Sequence, residues 1–387
     1  METPAATKLD TQINVRQRLK DLAIWQEEWK NHNAFFDMLI GAMEENPSQI
    51  DLQRAAEISR LRRRLELQQV RIPFEIPVET IKEMGYAALH RDLVTQYTQL
   101  TKADRLLWLN NLLFLLTPEL RELKDKIARV RGWRSGGQQR NFLLGGDTGT
   151  GKTTFLDWFD SHFIPEVERE RNHVPIIHID APEGTSPRFL LQRIIRGCGM
   201  NYLERDNEET LLMKVVYFFQ RCGVELLIVD EVEHIKAHSV RRRLLEVSNL
   251  TLHIPIICAS CEPHLWIEGD SEIAGRWNDY VRLHPYTGIR FQQLLSLINL
   301  LLPFPQSSFI LPSARNQGSS DKEGNIKKTA FLEEVTKGLL RDLMPLLIEA
   351  SKEAIQRDLP CLDLELLELT WKKIRTKEAV QSYKQGR

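Results

Sequence analysis

From Gly146 to Thr153 the chain reads Gly-Asp-Thr-Gly-Thr-Gly-Lys-Thr, and the spacing of these residue types points to phosphate chemistry. Glycines let the backbone curl until successive N–H groups face inward at phosphate oxygens. A helix starting at Lys152 would add the positive end of its dipole. Lys152 has the reach to meet the β- and γ-phosphates of a nucleotide, and the Thr153 hydroxyl suits a Mg²⁺ ion. Gly146, Asp147, Thr148, Gly149, Thr150, Gly151, Lys152, Thr153 and Thr154 are therefore expected around bound ATP. A chance glycine turn is the bland alternative, and the apolar strand before the loop argues against it.

Asp230-Glu231 supplies the second half, directly after the apolar run Leu226-Leu227-Ile228-Val229. An aspartate at the carboxyl end of a buried strand sits where such sheets bind ligands, so Asp230 is expected beside Thr153 on the metal. Glu231 is placed to polarise an attacking water. Both acids together favour hydrolysis over phosphoryl transfer to a metabolite. Ser260 and Cys261 end the next apolar run, where a polar side chain is suited to hold the lytic water or sense the γ-phosphate. A thiol is a weak hydrogen-bonder for that task, and plain packing of the pair stays equally open. Arg276 precedes a further strand and suits a finger reaching a neighbouring subunit's nucleotide, or a surface arginine. Arg341 opens a late helix and reads either as a phosphate contact from a lid or as a solvated residue.

These residues need positioning elements. Phe142–Leu144, Pro175–Ile179, Val224–Val229, Ile254–Ala259 and the weaker Tyr280–Leu283 read as strands alternating with amphipathic helices. The helix after Ser186 carries Phe189, Leu190, Ile194 and Ile195 on one face. Alternation of this kind implies βαβ units and an α/β fold, a three-layer α/β/α P-loop core around a parallel sheet. A helical N-terminal extension (1–76) ends at the proline-broken segment Val70–Pro77, and a helical segment (77–140) leads into the core (141–302). The Pro-, Ser- and Gly-rich stretch 303–328 reads as a flexible linker or insertion, before a C-terminal helical lid (329–387).

Composition limits the rest. A net charge of −1 exerts no strong field on nucleic acid, so any such contact must come from a local stripe. One lies just beyond the acidic pair: Lys236, His238, Arg241, Arg242 and Arg243. In a ring-forming ATPase that connection faces the central pore, where cations can track a phosphate backbone without reading bases; a solvated helix start is the alternative. Arg60, Arg62, Arg63 and Arg64 read first as a solvated helix face. Five scattered cysteines exclude a disulfide framework, and Cys258-x-x-Cys261 reads as packing in the absence of a second ligand pair. Leu106–Leu116 is too short and too interrupted to span a bilayer, and the cytoplasm is the expected location.

The phosphate loop, the Asp230-Glu231 strand, the polar end of the Cys258 strand and the Arg276 position resemble the AAA+ superfamily. More narrowly, the chain resembles the TnsC/TniB transposition regulators in Ile179-Asp180-Ala181-Pro182, in Asp230-Glu231-Val232-Glu233-His234-Ile235-Lys236, and in Lys337-Gly338-Leu339-Leu340 leading to Ala350-x3-Ala354-Ile355. The resemblance covers about 77–373 and departs from the family at Cys261, where a hydroxyl is usual. It implies an ATPase that assembles with itself as rings or filaments on duplex DNA and links a TniQ/TnsD-like target selector to a TnsB/TniA-like DDE transposase. Hydrolysis is then expected to drive disassembly, with Lys236 at a matching family position. A replication-initiator or helicase-loader-like AAA+ protein, or a signalling NTPase that leaves DNA alone, are the other readings.

Overall fold

The computed structural model describes residues 14–21, 84–112, 115–131, 141–163, 165–167, 172–181, 183–251, 254–309 and 319–385. The arginine cluster at 60–64, the proline segment 70–77 and the expected loop 132–139 lie outside these residues. The chain divides into two compact units: described residues 118–131 and 141–284 form one, and 14–21, 84–117 and 285–385 contribute to the other.

The second unit contains two helices, α1 (Tyr86–Tyr97) and α2 (Lys102–Leu112). The first unit starts with α3 (Pro118–Arg131) and continues through β1 (Phe142–Gly146), α4 (Lys152–Ser161), a ribbon of β2 (Glu166–Val167) with β3 (Asn172–His173), β4 (Ile176–Asp180), α5 (Pro187–Gly197) and α6 (Glu208–Arg221). After β5 (Leu226–Asp230) come α7 (His238–Leu250), β6 (Ile256–Ser260), the short α8 (Pro263–Ile267) and α9 (Ser271–Arg276), then β7 (Asp279–Leu283). All five expected strands form, in the order β4-β5-β6-β1-β7, and every pairing is parallel. Every residue of β1, β5 and β6 is buried. Since successive side chains point to opposite faces, the sheet is covered on both sides, which is the three-layer arrangement that continuous apolar runs demand.

Local signals set the helix starts. Ser186 accepts a hydrogen bond from the Phe189 N–H at 3.2 Å with Pro187 in the first turn, and Asn207 does the same for Thr210 at 2.8 Å. Both satisfy N–H groups that have no partner within the helix. Because all strands run one way, their carboxyl ends share one edge. Gly145 lies opposite Ser260, and Asp180 opposite Asp230. The crossover that places β6 between β5 and β1 opens a crevice at that edge, the usual ligand position in such sheets.

The second unit adds α10 (Gly288–Leu301), α11 (Ser319–Thr336), α12 (Leu340–Gln356) and α13 (Leu364–Gln385). Its core gathers Leu93, Trp108, Phe291, Ile298, Leu346 and Leu367. The last carbonyls of α10 lack helical donors, and buried aromatics supply them: Tyr97 Oη donates to Leu300 O at 2.7 Å and Trp108 Nε1 to Leu301 O at 2.8 Å. At Gly338 (φ 70°) a side chain is excluded, because a Cβ would stand 1.8 Å from Tyr286 O.

Three stretches at the unit boundaries carry structural detail. Within 77–140, the described residues up to Thr117 belong to the helical unit and α3 to the sheet unit. The sheet unit runs to His284, just past the end of β7, and α10 belongs to the helical unit. Described residues of the expected linker 303–328 make specific hydrogen bonds. Asn299 Oδ1 accepts from the Ser308 and Phe309 N–H groups at 2.8 and 3.3 Å. Lys328, within α11, is buried and donates to Leu362 O at 2.9 Å. Its polar composition concealed these anchors.

Candidate functional site

Gly146 ends β1 with φ 149°, and Gly151 precedes α4 with φ 99°. A Cβ at Gly146 would lie 2.5 Å from Leu283 O and 2.9 Å from Thr150 Oγ1, so only glycine lets the loop bend beside β7. The loop holds its own curve: Thr150 donates to Asp147 O through its N–H at 3.2 Å and its hydroxyl at 2.8 Å. Asp147 and Thr148 are exposed, and Gly149 and Thr154 are half-buried. Lys152 is buried, its ammonium donating to Gly146 O at 2.5 Å and Asp147 O at 3.3 Å. A curled backbone with a lysine folded over it matches the donor set that phosphate oxygens require.

The two acids take different positions. Asp230 is 1% exposed; its Oδ2 accepts from Thr153 Oγ1 at 2.7 Å and its Oδ1 from the Glu231 N–H at 2.8 Å. A hydroxyl and a carboxylate in direct contact are close enough to share one hard cation, so the residues fit Mg²⁺. Glu231 adopts the left-handed conformation, φ 57° and ψ 36°, which costs a non-glycine residue on the order of 1–3 kcal/mol. That kink turns the chain out of the sheet, leaving Glu231 exposed beside a buried Asp230.

β6 lies between β5 and β1, so its end stands next to both motifs. Ser260 is buried and its hydroxyl accepts from the Glu262 N–H at 2.9 Å, closing the turn into α8. Cys261 is half-buried, and its thiol donates to Glu233 Oε1 at 3.0 Å. Reasoning from sequence passed over Glu233 as a site residue; the signal was an acid three positions after Asp230, carried by a 3-10 turn, Val232–His234. Burial works to raise the Glu233 carboxyl, but hydrogen bonds from Cys261, from backbone N–H groups and from Ser260 outweigh it and hold it below its ordinary value. Burial, with Glu233 beside it, pushes the Cys261 thiol up to about 11 against the pull of Lys152. About one thiol in a thousand is then ionised at pH 8, so alkylation is expected to be slow. Removing the neighbouring charge lowers the thiol pKa, so Glu233→Gln should speed iodoacetamide labelling of Cys261 by about three- to tenfold. Mass spectrometry in a Cys361→Ser background reads this, since Cys198, Cys222 and Cys258 are buried. Unchanged labelling would dissociate the pair.

The basic run serves mainly as bracing. Arg241 donates to the carbonyls of Leu265, Trp266 and Glu268 at 3.1, 3.0 and 3.0 Å, closing the end of α8. Arg242 pairs with Asp270 at 2.7 Å and with Glu272, and Arg243 with Glu246 at 2.6 Å, Glu209 at 3.0 Å and Glu208. Acids and helix-end carbonyls distant in sequence thus engage Arg241 and Arg242, the two arginines expected at DNA. Lys236 is exposed, and its ammonium has no partner among the described residues. Arg276, the last residue of α9, is half-buried, and its guanidinium also has none among them. Arg341 is exposed at the start of α12, with Asp342 Oδ1 3.7 Å from its Nε. Cys258 is fully buried within β6.

Residues 105–285 match the family described as "Bacterial TniB protein", which spans the whole sheet unit described here. The chain is also similar in structure to the Aeropyrum pernix ORC2 protein solved as ADPNP–ADP complexes (15% identity, TM-score 0.47, 66% of this chain and 68% of that one). It is similar to the Aeropyrum pernix ORC1 protein in complex with DNA (17%, 0.45, 68% and 67%) and to Cdc6p from Pyrobaculum aerophilum (14%, 0.46, 63% and 64%). Among curated proteins no match was found.

Proposed function

We propose, with the TniB resemblance over residues 105–285 as the premise, that this chain is an ATP-hydrolysing AAA+ regulator of DNA transposition. Its parallel sheet, phosphate loop and helical C-terminus are those of an AAA+ P-loop protein. The observation that carries the enzymatic reading is the 2.7 Å contact joining Thr153 of the loop to Asp230 of β5, beside the buried Lys152.

In this reading the loop N–H groups and Lys152 bind the β- and γ-phosphates of ATP, while Thr153 and Asp230 hold Mg²⁺. That ion would supply positive charge to offset the charge of the phosphates. Glu231 orients a water and accepts its proton as the oxygen attacks the γ-phosphorus and the bond to ADP breaks. Cys261, with Glu233 beside it, serves to sense the γ-phosphate, and Arg341 is a further candidate for a phosphate contact. Arg276 reaches the neighbouring subunit's nucleotide within a ring or filament on duplex DNA.

That assembly would connect a TniQ/TnsD-like selector to a TnsB/TniA-like transposase in the cytoplasm, and hydrolysis would take it apart. Among the described residues no helix is long and apolar enough to cross a membrane, and none is needed for this role. Lys236 is the foremost candidate for the DNA backbone, being exposed and unengaged. Lys236→Ala should weaken duplex binding equally for unrelated base sequences and reduce the slope of log K against log salt by about 0.9. Fluorescence anisotropy over a salt series measures it. An unchanged slope would move the DNA surface elsewhere on the protein.

A further inference from the structure

One buried carboxylate joins the helix that follows the acidic pair to the helix that ends in Arg276. Asp270 immediately precedes α9, and its side chain is 2% exposed. Its Oδ1 accepts from the Glu272 and Ile273 N–H groups at 2.9 and 3.1 Å, capping α9. Its Oδ2 lies 2.7 Å from His238 Nε2 and 2.7 Å from Arg242 Nε. His238 and Arg242 are four residues apart, so they share one face of the first turns of α7. Arg242 also reaches Glu272, on α9 itself.

A six-residue helix has too few internal hydrogen bonds to fix its own direction, so its two ends decide where it points. At the far end Trp277 is buried, its ring centroid 5.6 Å from that of Trp266. At the near end Asp270 does the holding. Burial works to raise this carboxyl, but the Ile273 N–H, His238, Arg242 and the Glu272 N–H bring it down to about 2. The anchor therefore stays charged at every pH at which the protein is handled.

We propose that Asp270 is a positioning residue for Arg276: by tying the start of α7 to the start of α9, it sets where this arginine is presented to the next subunit. The proposal rests on the reading of Arg276 as a finger acting between subunits. It further implies that α7, which follows one subunit's own Asp230-Glu231 strand, helps govern hydrolysis in its neighbour.

Mixed assemblies test this. A Glu231→Gln chain keeps its arginine but does not hydrolyse, and an Arg276→Ala chain keeps its site but lends no arginine. Mixed in equal amounts with duplex DNA, they should regain about a quarter of wild-type turnover, the share of interfaces that pair donor with recipient at random. Adding Asp270→Asn to the Glu231→Gln donor should lower that recovery at least about tenfold, with the donor's ATP affinity and co-assembly unchanged. Arg242→Gln on the same donor should lower it about threefold, and it decides alone if the Asp270 variant fails to fold. Full recovery with a modified donor overturns the positioning role of Asp270. No recovery even with the unmodified donor overturns the finger reading instead, and the proposal with it.

Discussion

Lys152→Ala should weaken MgATP binding by at least about a hundredfold, below what calorimetry detects at micromolar protein. The ammonium is buried against the loop that it serves and donates to Gly146 O and Asp147 O, so it is already aimed into the cradle. Charge-assisted hydrogen bonds contribute about 1.5–3 kcal/mol each. Losing two of them at the phosphates corresponds to a factor of about 10² to 10⁴ in affinity. The fold should tolerate the change, because the strand pairing and the Thr150–Asp147 bonds do not involve this side chain. A variant that melts like wild type and binds ATP normally would remove the nucleotide from this loop altogether.

Glu231→Gln should leave MgATP affinity within about threefold of wild type while cutting turnover by about 10² to 10⁴, the usual contribution of a positioned general base. Glutamine keeps the length and can still orient water, but it does not take the proton. Asp230, buried and bonded to Thr153, is untouched, so binding and assembly persist. Phosphate release measures the first effect, and electron microscopy on duplex DNA the second: the variant's assemblies should outlast those of wild type once free ATP is removed. Should phosphate release continue at the wild-type rate, another acid is the base, and Glu233 becomes the next to replace.

Much of the sheet unit was legible in the amino-acid order, because the signals are local. Leu226–Val229 is apolar throughout, and the sheet buries it on both faces; Ser186 reads as a cap and is one. The bend of the glycine loop was legible for the same reason, since glycine spacing constrains the backbone directly. What escaped depends on partners far apart in the chain. Arg241 and Arg242 look like a basic stripe until Asp270, Glu272 and the carbonyls of Leu265, Trp266 and Glu268 are brought to them. Glu233 gained meaning only when β6 set Cys261 beside it. The two halves of the helical unit are joined by bonds such as Tyr97 to Leu300, which no periodicity foretells.

That division has a consequence for biosynthesis. Trp108 leaves the ribosome 193 residues before the carbonyl that receives its indole proton. At the usual pace of translation this is a delay of about 10–40 s. Throughout it, the greasy sides of α1 and α2 have no finished core to enter, whereas residues 118–284 emerge as one uninterrupted stretch and have their sheet complete first. Newborn chains should thus carry one half with its sheet already closed while the apolar faces of the other still wait for their partners.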